Sequence, residues 1–346
     1  MSERTLTRVL MNRRDYAPII RGLWNSGLSC CVNALLQSMF TTEGLLEILD
    51  RWKPSGHCEE RNNVLLQLRK ALHTMGGESP QPDPHREFLD CLHRNSIHRT
   101  VQHDAHEVFL SILNLLQQQM TSTQLKEEIL DLYKVNIEGH VRCLVCTFDH
   151  EINSYLLSFP LALREGQNNL EACMQSFFTF QELTGEDECY CERCGKKQPS
   201  AQGFKLRSLP KILCIHLKRF RHDGGFTRKL NRQVTFSDTL NVPNILKPEH
   251  ISEVFQKDDS LYSLYAVVVH SGFATCGHYT AFIRQPGEQS WYYADDDVVR
   301  QVRWACSGGR KIWKSFTVFQ YISMVDMFRH PKKASDVNAV FPSVLR

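Results

Sequence analysis

Two adjacent cysteines, Cys30 and Cys31, stand at the start of a stretch with helical apolar spacing, GLWNSGLSCCVNALLQSMF (residues 22–40). A thiol becomes a good nucleophile when its pKa is lowered, and a helix N-terminus with a histidine nearby can lower it. Ser29 is a good N-cap residue, so the pattern predicts that Cys30 opens this helix. Cys31 lies about 100° further round the helix, and the two thiols therefore cannot share one environment.

Asn25 and a distant histidine could supply the other groups that a cysteine nucleophile requires. Asn25 lies on a loop before the predicted helix, where its amide could donate to a developing oxyanion. The chain has 15 histidines. Among them His278 stands between Gly277 and Tyr279 just before a predicted strand, which leaves its ring approachable. His270 ends the apolar run YAVVVH and is interpreted as a structural residue.

An acidic cluster, Asp295-Asp296-Asp297, follows SWYYA and could orient the imidazole. A carboxylate bonded to one ring nitrogen holds a catalytic histidine in the tautomer that accepts the nucleophile's proton. The spacing leaves open which aspartate does this. It also leaves open a solvated turn, which would be the preferred interpretation without the cysteine and the histidine.

Four further cysteines form two C-x-x-C pairs, which is the spacing of zinc knuckles. The pairs are Cys143-Leu-Val-Cys146 and Cys191-Glu-Arg-Cys194. Four thiolates suit a closed structural Zn²⁺ site, and such a site contributes to folding. Gly195 follows the second pair and lets the knuckle turn back on itself. The alternatives are a redox pair or four unrelated buried cysteines, and Cys189 is interpreted as a bystander.

Apolar residues repeat at helical spacing in the first third of the chain and alternate in the rest. Helices are predicted at residues 32–40, 64–75 and 105–120, and Asp104 with Glu107 is a plausible capping box for the third. Strands are predicted in SYLLSF, KILCIHLKRF, LYSLYAVVVH, YTAFIR, SWYYA and FTVFQYI. A helical part followed by a strand-rich part predicts an α+β fold with segregated lobes.

The composition excludes several classes of protein. With 346 residues, 42% of them hydrophobic, the chain can bury one large core or two smaller ones. A formal net charge of +3 does not favour nucleic-acid binding, and no apolar run approaches the ~20 residues of a membrane span. Thirteen cysteines without a secretory signal predict a reducing environment. The expected location is the cytoplasm, with the nucleus as an addition.

These motifs together resemble the ubiquitin-specific proteases, a family of cysteine isopeptidases, over residues 22–325 and in the family's order. The stretch around Cys30 is similar to the cysteine box, VQHDAHEVFL to the glutamine–aspartate box, and the two knuckles to the zinc site of the fingers. LPKILCIHLKRF, YSLYAVVVHSGFATCGHYTAFIR and SWYYADDDVV are similar to the palm boxes. The resemblance implies Cys30 as nucleophile, His278 as base, Asp295 as orienting residue and Asn25 as oxyanion donor.

The same resemblance implies how a substrate is held. A ubiquitin-like body would be gripped by the fingers, and its C-terminal tail would lie between thumb and palm. Asp104, Gly277 and Tyr279 are expected to contact that tail, Asp104 through basic residues of the modifier. Asp104 can also cap its helix, because a cap uses one carboxylate oxygen.

The implied architecture is a papain-like right-hand α+β fold with a helical thumb, a strand-rich palm and zinc-bearing β fingers. One structural Zn²⁺ would be bound by Cys143, Cys146, Cys191 and Cys194. The predicted divisions are a flexible tail at 1–21, a catalytic domain at 22–330 (thumb 22–132, mainly fingers 133–205, mainly palm 206–330) and a C-terminal tail at 331–346. The first tail could instead be a weak targeting or docking segment.

Three residues depart from the usual family pattern. Ser29 and Cys31 replace a threonine and a tyrosine, and Ala294 occupies a commonly aromatic position. None of these changes removes a catalytic group, so we expect an active enzyme.

The Cys-Cys box and ECYCERCGKK resemble most an interferon-induced member of the family. That member removes the interferon-stimulated gene 15 product, a modifier made of two fused ubiquitin folds. The resemblance also implies a non-catalytic role that restrains type I interferon receptor signalling and innate immunity. The alternatives are a general deubiquitinase acting on ubiquitin conjugates, or chiefly an adapter of receptor signalling.

Overall fold

Most of the chain between Ile20 and Met324 is described by the computed structural model, over residues 20–54, 59–76, 83, 85–166, 168–256, 260–285, 288–304, 311–313 and 316–324. Nearly all of the N-terminal tail and the whole C-terminal tail lie outside these residues, and their roles stay predictions. Within the described residues, no helix is both long and apolar enough to cross a membrane.

Eight α-helices lie in the described part of the chain, six of them before residue 134. They are α1 (Cys30–Phe40), α2 (Leu45–Arg51), α3 (Val64–Met75), α4 (Arg86–Arg94), α5 (Ala105–Gln119), α6 (Thr123–Tyr133), α7 (Leu170–Phe178) and α8 (Val242–Ile245). The three helices predicted from apolar spacing are confirmed as α1, α3 and α5. α7 is not predicted by the apolar spacing; it is a short helix that Asn169 caps by accepting from the Ala172 N–H at 2.6 Å.

Nineteen strands are described, twelve of which form two principal sheets. They are β1 (Val135–Cys143), β2 (Asp149–Leu156), β3 (Phe159–Ala162), β4 (Asn168–Asn169), β5 (Gln181–Leu183), β6 (Cys189–Cys191), β7 (Lys196–Gln198), β8 (Ser200–Ser208), β9 (Ile212–Lys218), β10 (Phe220–Asp223), β11 (Phe226–Lys229), β12 (Val234–Phe236), β13 (Thr239–Asn241), β14 (Leu261–Gly272), β15 (Gly277–Ile283), β16 (Trp291–Asp295), β17 (Val298–Val302), β18 (Lys311–Trp313) and β19 (Phe316–Ser323). Five of the six predicted runs each coincide with most of one strand, whereas SYLLSF spans the end of β2, a bend and the first residue of β3.

The smaller principal sheet has four antiparallel strands in the order β2-β1-β8-β5. β1 and β2 form a hairpin, in which Cys143 is the last residue of β1 and Cys146 lies in the turn. β2 is the edge strand, and most of its residues are exposed. The short hairpin β6-β7 carries Cys191 and Cys194 at its turn. Two hairpin turns therefore present the two cysteine pairs.

The larger sheet has eight strands and runs β17-β16-β15-β14-β19-β9-β3, with β13 beside β14. Its central strand β14 is buried almost throughout, because apolar residues cover both faces. On one side Ala266 and Val268 pack with the helices, and on the other Tyr262 and Leu264 pack with a second cluster. The pairing of β14 with β19 is irregular between Leu264 and Ala266, and this is where consecutive even-numbered residues change from one cluster to the other.

The two cores explain how the site is built. One core joins α1, α3 and α5 to the larger sheet, and α1 packs directly along β15. This packing brings the N-terminus of α1 to the strand that carries His278. The predicted α+β class is confirmed, whereas the division into thumb, fingers and palm at residues 132 and 205 stays a prediction.

Candidate active site

The N-terminus of α1 begins at Cys30, as the sequence predicts. Ser29 occupies the N-cap position, as predicted. Its hydroxyl makes no capping hydrogen bond, so the predicted capping interaction is wrong. The Ser29 Oγ instead accepts from the Ser26 N–H at 2.9 Å and lies 3.2 Å from the Asn25 Oδ1. These bonds fix the loop that carries Asn25.

The Cys30 thiol lies beside β15 and is only 3% exposed. Burial raises its pKa, and the negative charge of Asp296 raises it further. Hydrogen bonds from the Tyr279 and Cys31 backbones lower the pKa, without overcoming burial. The lowered pKa expected at this helix N-terminus is therefore not found in the resting structure. The thiol holds its proton and requires a base to remove it.

Cys31 has a different environment from its neighbour, as expected from the helical rotation. It is 2% exposed, and burial raises the pKa of its thiol well above the usual value. The charges of Cys30 and Asp104 act in the same direction. No hydrogen bond that would stabilise a Cys31 thiolate acts on this thiol within the described residues. Cys31 is a buried packing residue.

The predicted histidine–carboxylate pair is present in the structure. The Nε2 of His278 lies 2.6 Å from the Oδ1 of Asp295, and both side chains are about 40% exposed. The Tyr293 hydroxyl donates to the other Asp295 oxygen at 3.2 Å. With Nε2 engaged, Nδ1 is the ring atom left to meet a thiol. The catalytic roles of these residues stay predictions.

His270 is a structural residue, as predicted. It is 1% exposed, and its ring lies 4.6 Å from that of Tyr279. Burial, together with the charge of Lys229, lowers its pKa to about 4. The ring is therefore neutral at physiological pH and packs as an apolar group.

Asp296 is a site residue that the sequence analysis did not single out from its neighbours. It lies in the turn between β16 and β17 with a φ of 49°, a left-handed conformation that aspartate tolerates. Its Oδ2 accepts from the Asn25 amide at 2.9 Å, and its Oδ1 accepts from the Asn33 amide at 2.8 Å. Its carbonyl accepts from the Leu23 N–H at 2.7 Å. Asp296 thus positions the predicted oxyanion donor.

Gln102 is the second residue that the analysis missed, although it lies inside the quoted motif VQHDAHEVFL. Its amide nitrogen donates to the Gly277 carbonyl at 2.6 Å, and its amide oxygen accepts from the Gly277 N–H at 3.0 Å. This double contact fixes the start of β15, one residue before His278. No periodicity marks such a residue, because the contact spans 175 positions.

The residues expected to contact a modifier tail have other partners in the structure. Asp104 caps α5, and its Oδ1 alone accepts from the N–H groups of His106 and Glu107 at 2.8 and 3.2 Å. The cap therefore does not use Oδ2, as expected. Both backbone groups of Gly277 bond to Gln102, and the Tyr279 side chain is 2% exposed. Contact of these residues with a tail stays a prediction.

The four knuckle cysteines converge as the sequence predicts. Their sulfur atoms all lie within 4.8 Å of one another, and the Cys146 and Cys191 sulfurs are 3.5 Å apart. Thiolates around one tetrahedral Zn²⁺ would be separated by about 3.8 Å, given Zn–S bonds of about 2.3 Å. Backbone N–H groups of Cys146 and Val145 lower the pKa of Cys143 to about 7. The cluster can hold a metal ion.

The two knuckles share one backbone geometry. Gly195 has a φ of 69°, and Thr147 occupies the matching position of the first knuckle with a φ of 59°. The N–H of each donates to the carbonyl of the first cysteine in its knuckle, at 2.9 and 3.0 Å. The predicted turn at Gly195 is confirmed.

Comparison with known proteins identifies the family. The model of the ubiquitin carboxyl-terminal hydrolase family matches residues 21–329. The chain belongs to this family. This hydrolase is 32% identical over 296 residues to Ubl carboxyl-terminal hydrolase 18 of Homo sapiens, covering 84% of the chain and 80% of the human protein. It is 33% identical to the protein of the same name from Mus musculus, and the match covers 87% of the chain and 83% of the mouse protein.

A more distant relative is Ubiquitin carboxyl-terminal hydrolase 47 of Xenopus tropicalis, with 25% identity over 81% of this hydrolase and 25% of the relative. Family membership confirms the predicted resemblance and the papain-like α+β class. The hydrolase is a cysteine-type isopeptidase that acts on conjugates of ubiquitin-like proteins.

Proposed function

We propose that this hydrolase cleaves the isopeptide bond between a modifier's C-terminal glycine and a substrate lysine, with Cys30 as nucleophile. The observation that carries the proposal is the contact at 2.6 Å between the His278 Nε2 and the Asp295 Oδ1. His278 directly precedes Tyr279, whose backbone bonds to the Cys30 thiol. Asp295 accepts a hydrogen bond from the His278 Nε2–H and holds Nδ1 ready to act as a base.

In the first step the Cys30 sulfur attacks the glycine carbonyl carbon, and the thiol proton passes to His278 Nδ1. The need for this transfer follows from the raised pKa of the buried thiol. The tetrahedral intermediate then collapses, and the carbon–nitrogen bond breaks. The proton on His278 goes to the lysine amine as it leaves.

In the second step water hydrolyses the thioester. His278 takes a proton from the water as it attacks the carbonyl carbon, and then returns that proton to the Cys30 sulfur. The modifier leaves with a free carboxylate. The half-exposed position of the histidine allows water to reach it after the amine has left.

Asn25 stabilises the oxyanion of both tetrahedral intermediates in this proposal. One N–H of its amide bonds to Asp296, and its Oδ1 accepts from the Ser29 N–H at 3.2 Å. The second amide N–H is then held in a fixed direction for the oxyanion. A preorganised donor of this kind contributes about 100- to 1,000-fold to the rate.

The modifier with two ubiquitin folds, the interferon-stimulated gene 15 product, is our proposed substrate. The support is the Cys-Cys box and the similarity at 31–33% identity to relatives named Ubl carboxyl-terminal hydrolase 18. The oxygen of Asp104 that its cap leaves unused would contact basic residues of the modifier's tail. Gly277 and Tyr279 would border the same channel.

A comparison of two electrophilic activity probes tests the choice of modifier. The two-fold modifier carrying a C-terminal electrophile is expected to label the enzyme at least about tenfold faster than the matching ubiquitin probe. Gel-shift kinetics at equal probe concentrations measure both rates. Faster labelling by ubiquitin would instead support the general deubiquitinase and leave the isopeptidase chemistry intact.

We also propose that the four-cysteine cluster binds one structural Zn²⁺. A bound ion would tie the β1-β2 turn to the β6-β7 turn, and it would take no part in the reaction. Freshly purified, reduced protein dialysed against metal-free buffer is expected to retain close to one zinc per chain. Cys191→Ser should lose that zinc and lower the melting temperature by several degrees.

Cys189→Ser is the matched control for this zinc experiment. Cys189 lies two residues away on the same strand and is outside the cluster. This variant should retain its zinc, as measured by elemental analysis. Zinc-free wild-type protein, or equal zinc loss in both variants, would contradict the four-cysteine site.

A restraining role in type I interferon receptor signalling, with cytoplasmic or nuclear location, stays part of the proposal. Its support is the resemblance of the Cys-Cys box. An intact catalytic arrangement argues against a purely adapter function and is compatible with a dual role.

A further inference from the structure

His140 lies at the centre of a polar cluster in the four-stranded sheet, away from Cys30. It stands on β1 directly opposite Glu151 on β2, and Arg142 stands opposite Asp149 two residues further along. Because side chains two apart in a strand share a face, all four project from the same face of the hairpin. His140 and the carboxylates of Asp149 and Glu151 place their nearest ligand atoms within 4.8 Å of one another.

The imidazole of His140 is fully buried, and its polar atoms lack hydrogen bonds. The side chain has 0% exposure, and within the described residues no hydrogen bond reaches either ring nitrogen. The Oδ1 of Asp149 is likewise buried without a hydrogen-bond partner. Burial of polar groups without hydrogen bonds costs free energy. Two buried polar groups that lack hydrogen bonds therefore lie in the same cluster of acidic side chains.

Distances around the Nδ1 of His140 suit a metal ion. The Asp149 Oδ2 lies 3.3 Å away, and the Glu151 Oε1 lies 3.8 Å away. Nitrogen and oxygen ligands of a tetrahedral Zn²⁺, bound at about 2.0–2.1 Å, are separated by about 3.3 Å. The Glu151 side chain is 64% exposed, so it can move by this small amount and also leaves a path of entry.

The second ring nitrogen of His140 lies near a carboxylate, which is the partner that a metal-bound histidine usually has. The Nε2 of His140 lies 3.5 Å from the Glu138 Oε2. Glu138 is held in turn by the Ser252 hydroxyl, which donates to its Oε1 at 2.5 Å. A carboxylate on the second ring nitrogen orients a ligating imidazole and fixes its tautomer.

An aromatic cover explains why this histidine is buried on an open sheet. Gly203 stands opposite His140 on β8, and a Cβ there would lie 2.7 Å from the ring of Phe180. The missing side chain lets Phe180 pack down over the sheet, with its ring centroid 6.2 Å from that of His140. This cover excludes water from one side of the cluster.

We propose that His140, Asp149 and Glu151 form a second divalent-metal site, the carboxylate–histidine site, which takes Zn²⁺. Glu138 orients the imidazole without binding the ion. One nitrogen and two oxygen ligands favour Zn²⁺ over Ca²⁺ and Mg²⁺, which prefer oxygen alone. The Arg142 guanidinium donates to Asp149 Oδ2 from Nε at 3.1 Å and from Nη2 at 2.9 Å, and it would be a neighbour of the ion.

A second histidine cluster in this chain lacks the required geometry. The rings of His106 and His216 stack in parallel with centroids 3.9 Å apart, so a single ion cannot lie in both ring planes. The Nε2 of His106 is already bonded to the Ser158 hydroxyl at 2.6 Å. The Asp104 beside them caps α5.

Metal in the carboxylate–histidine site would clamp the hairpin that carries the first cysteine knuckle. His140 lies three residues before Cys143, about 10 Å along β1. The ion would link His140 on β1 to two residues of the exposed edge strand β2, Asp149 and Glu151. This clamp would hold the knuckle turn in place.

Zinc stoichiometry of the full chain tests this site. Protein whose cysteine cluster is loaded is equilibrated with zinc buffered at micromolar free concentration, and bound metal is measured by elemental analysis. We expect two zinc ions per chain in the wild type and one in Glu151→Gln and in Asp149→Asn. The control Glu182→Gln, an exposed acid on β5 outside the cluster, should keep two.

A second readout identifies the site directly. Adding zinc should shift the ¹⁵N resonance of the His140 Nδ1 and slow hydrogen exchange of β2 amides at least about tenfold. Both changes should be absent in Glu151→Gln, whose exposed position keeps the fold intact. A wild type that binds one zinc, or a second zinc that Glu151→Gln retains, would overturn the proposal.

Discussion

Cys30→Ala is expected to lower kcat/KM by about 10,000-fold or more, whereas Cys31→Ala keeps most of the activity. Removing the nucleophile of a catalytic set leaves only the contribution of binding and the oxyanion donor. Cys30 receives hydrogen bonds from the Tyr279 and Cys31 backbones, which stabilise a thiolate. Cys31 is buried, its pKa is raised well above the usual value, and no hydrogen bond that would stabilise its thiolate acts on it within the described residues, so we expect it not to act as the nucleophile. Hydrolysis of a fluorogenic modifier conjugate measures both variants.

Thermal unfolding provides the control for this pair of variants. Cys31→Ala removes one buried sulfur and should cost about 1 kcal/mol of stability. Cys30 is almost equally buried, so Cys30→Ala should lose a similar amount of stability, and comparable melting temperatures of the two variants would show that its loss of activity is chemical. An inactive Cys31→Ala beside an active Cys30→Ala, with both folded, would reverse the assignment.

Asp296→Asn is expected to lower kcat/KM by about 100-fold or more, and Asp295→Asn by about tenfold or less. The two oxygens of Asp296 each accept an amide N–H, from Asn25 and from Asn33. An asparagine offers only one acceptor oxygen, so its NH₂ group would oppose another NH₂ group. The oxyanion donor would then lose its position, at the cost expected for loss of such a donor.

Asp295→Asn is the milder change because its partners can adapt. An asparagine oxygen can still accept from the His278 Nε2–H. The Tyr293 hydroxyl, which donates to Asp295 Oδ2, can rotate and accept from the new NH₂ group. The same substitution at adjacent positions therefore separates the two roles, and each variant serves as the control for the other.

A double variant distinguishes positioning from direct catalysis. If Asp296 acts through Asn25, Asp296→Asn should cost much less in an Asn25→Ala background than in the wild type. Steady-state kcat and KM are measured for all four proteins of the cycle. Fully additive losses, or a larger loss in Asp295→Asn than in Asp296→Asn, would contradict this account of the turn.

Local chemistry in the sequence was sufficient to predict the elements that position the site. The spacing from Val32 to Phe40 places a helix directly after Cys30, and the run ending at His270 predicts a buried strand. The C-x-x-C spacing predicts the cysteine cluster without any knowledge of the fold. The helix and strand signals and each C-x-x-C pair lie within fewer than twenty neighbouring residues, although the two pairs are 45 positions apart, and their matching spacing is what links them.

The residues that were missed depend on contacts between distant parts of the chain. Gln102 bonds to Gly277, and Asp296 bonds to Asn25 and Asn33 across more than 260 positions. Sequence pattern cannot tell Asp295 from Asp296, because their different directions arise from a positive φ at the second residue.

The protonation state of Cys30 was also beyond a sequence argument. A helix N-terminus predicts a lowered pKa, but the final value depends on how deeply the fold buries the sulfur. Here burial outweighs the backbone hydrogen bonds. The same limit applies to His140, whose burial depends on Phe180 packing over Gly203.

Mapping the covalent adduct of a modifier bearing a C-terminal electrophile tests the central claim most directly. After reaction with the wild-type enzyme, digestion and tandem mass spectrometry assign the modified residue. We predict a single adduct on the Cys30 sulfur, absent from Cys30→Ala and present in Cys31→Ala. An adduct on Cys31, or none on either cysteine of the pair, would contradict Cys30 as the nucleophile.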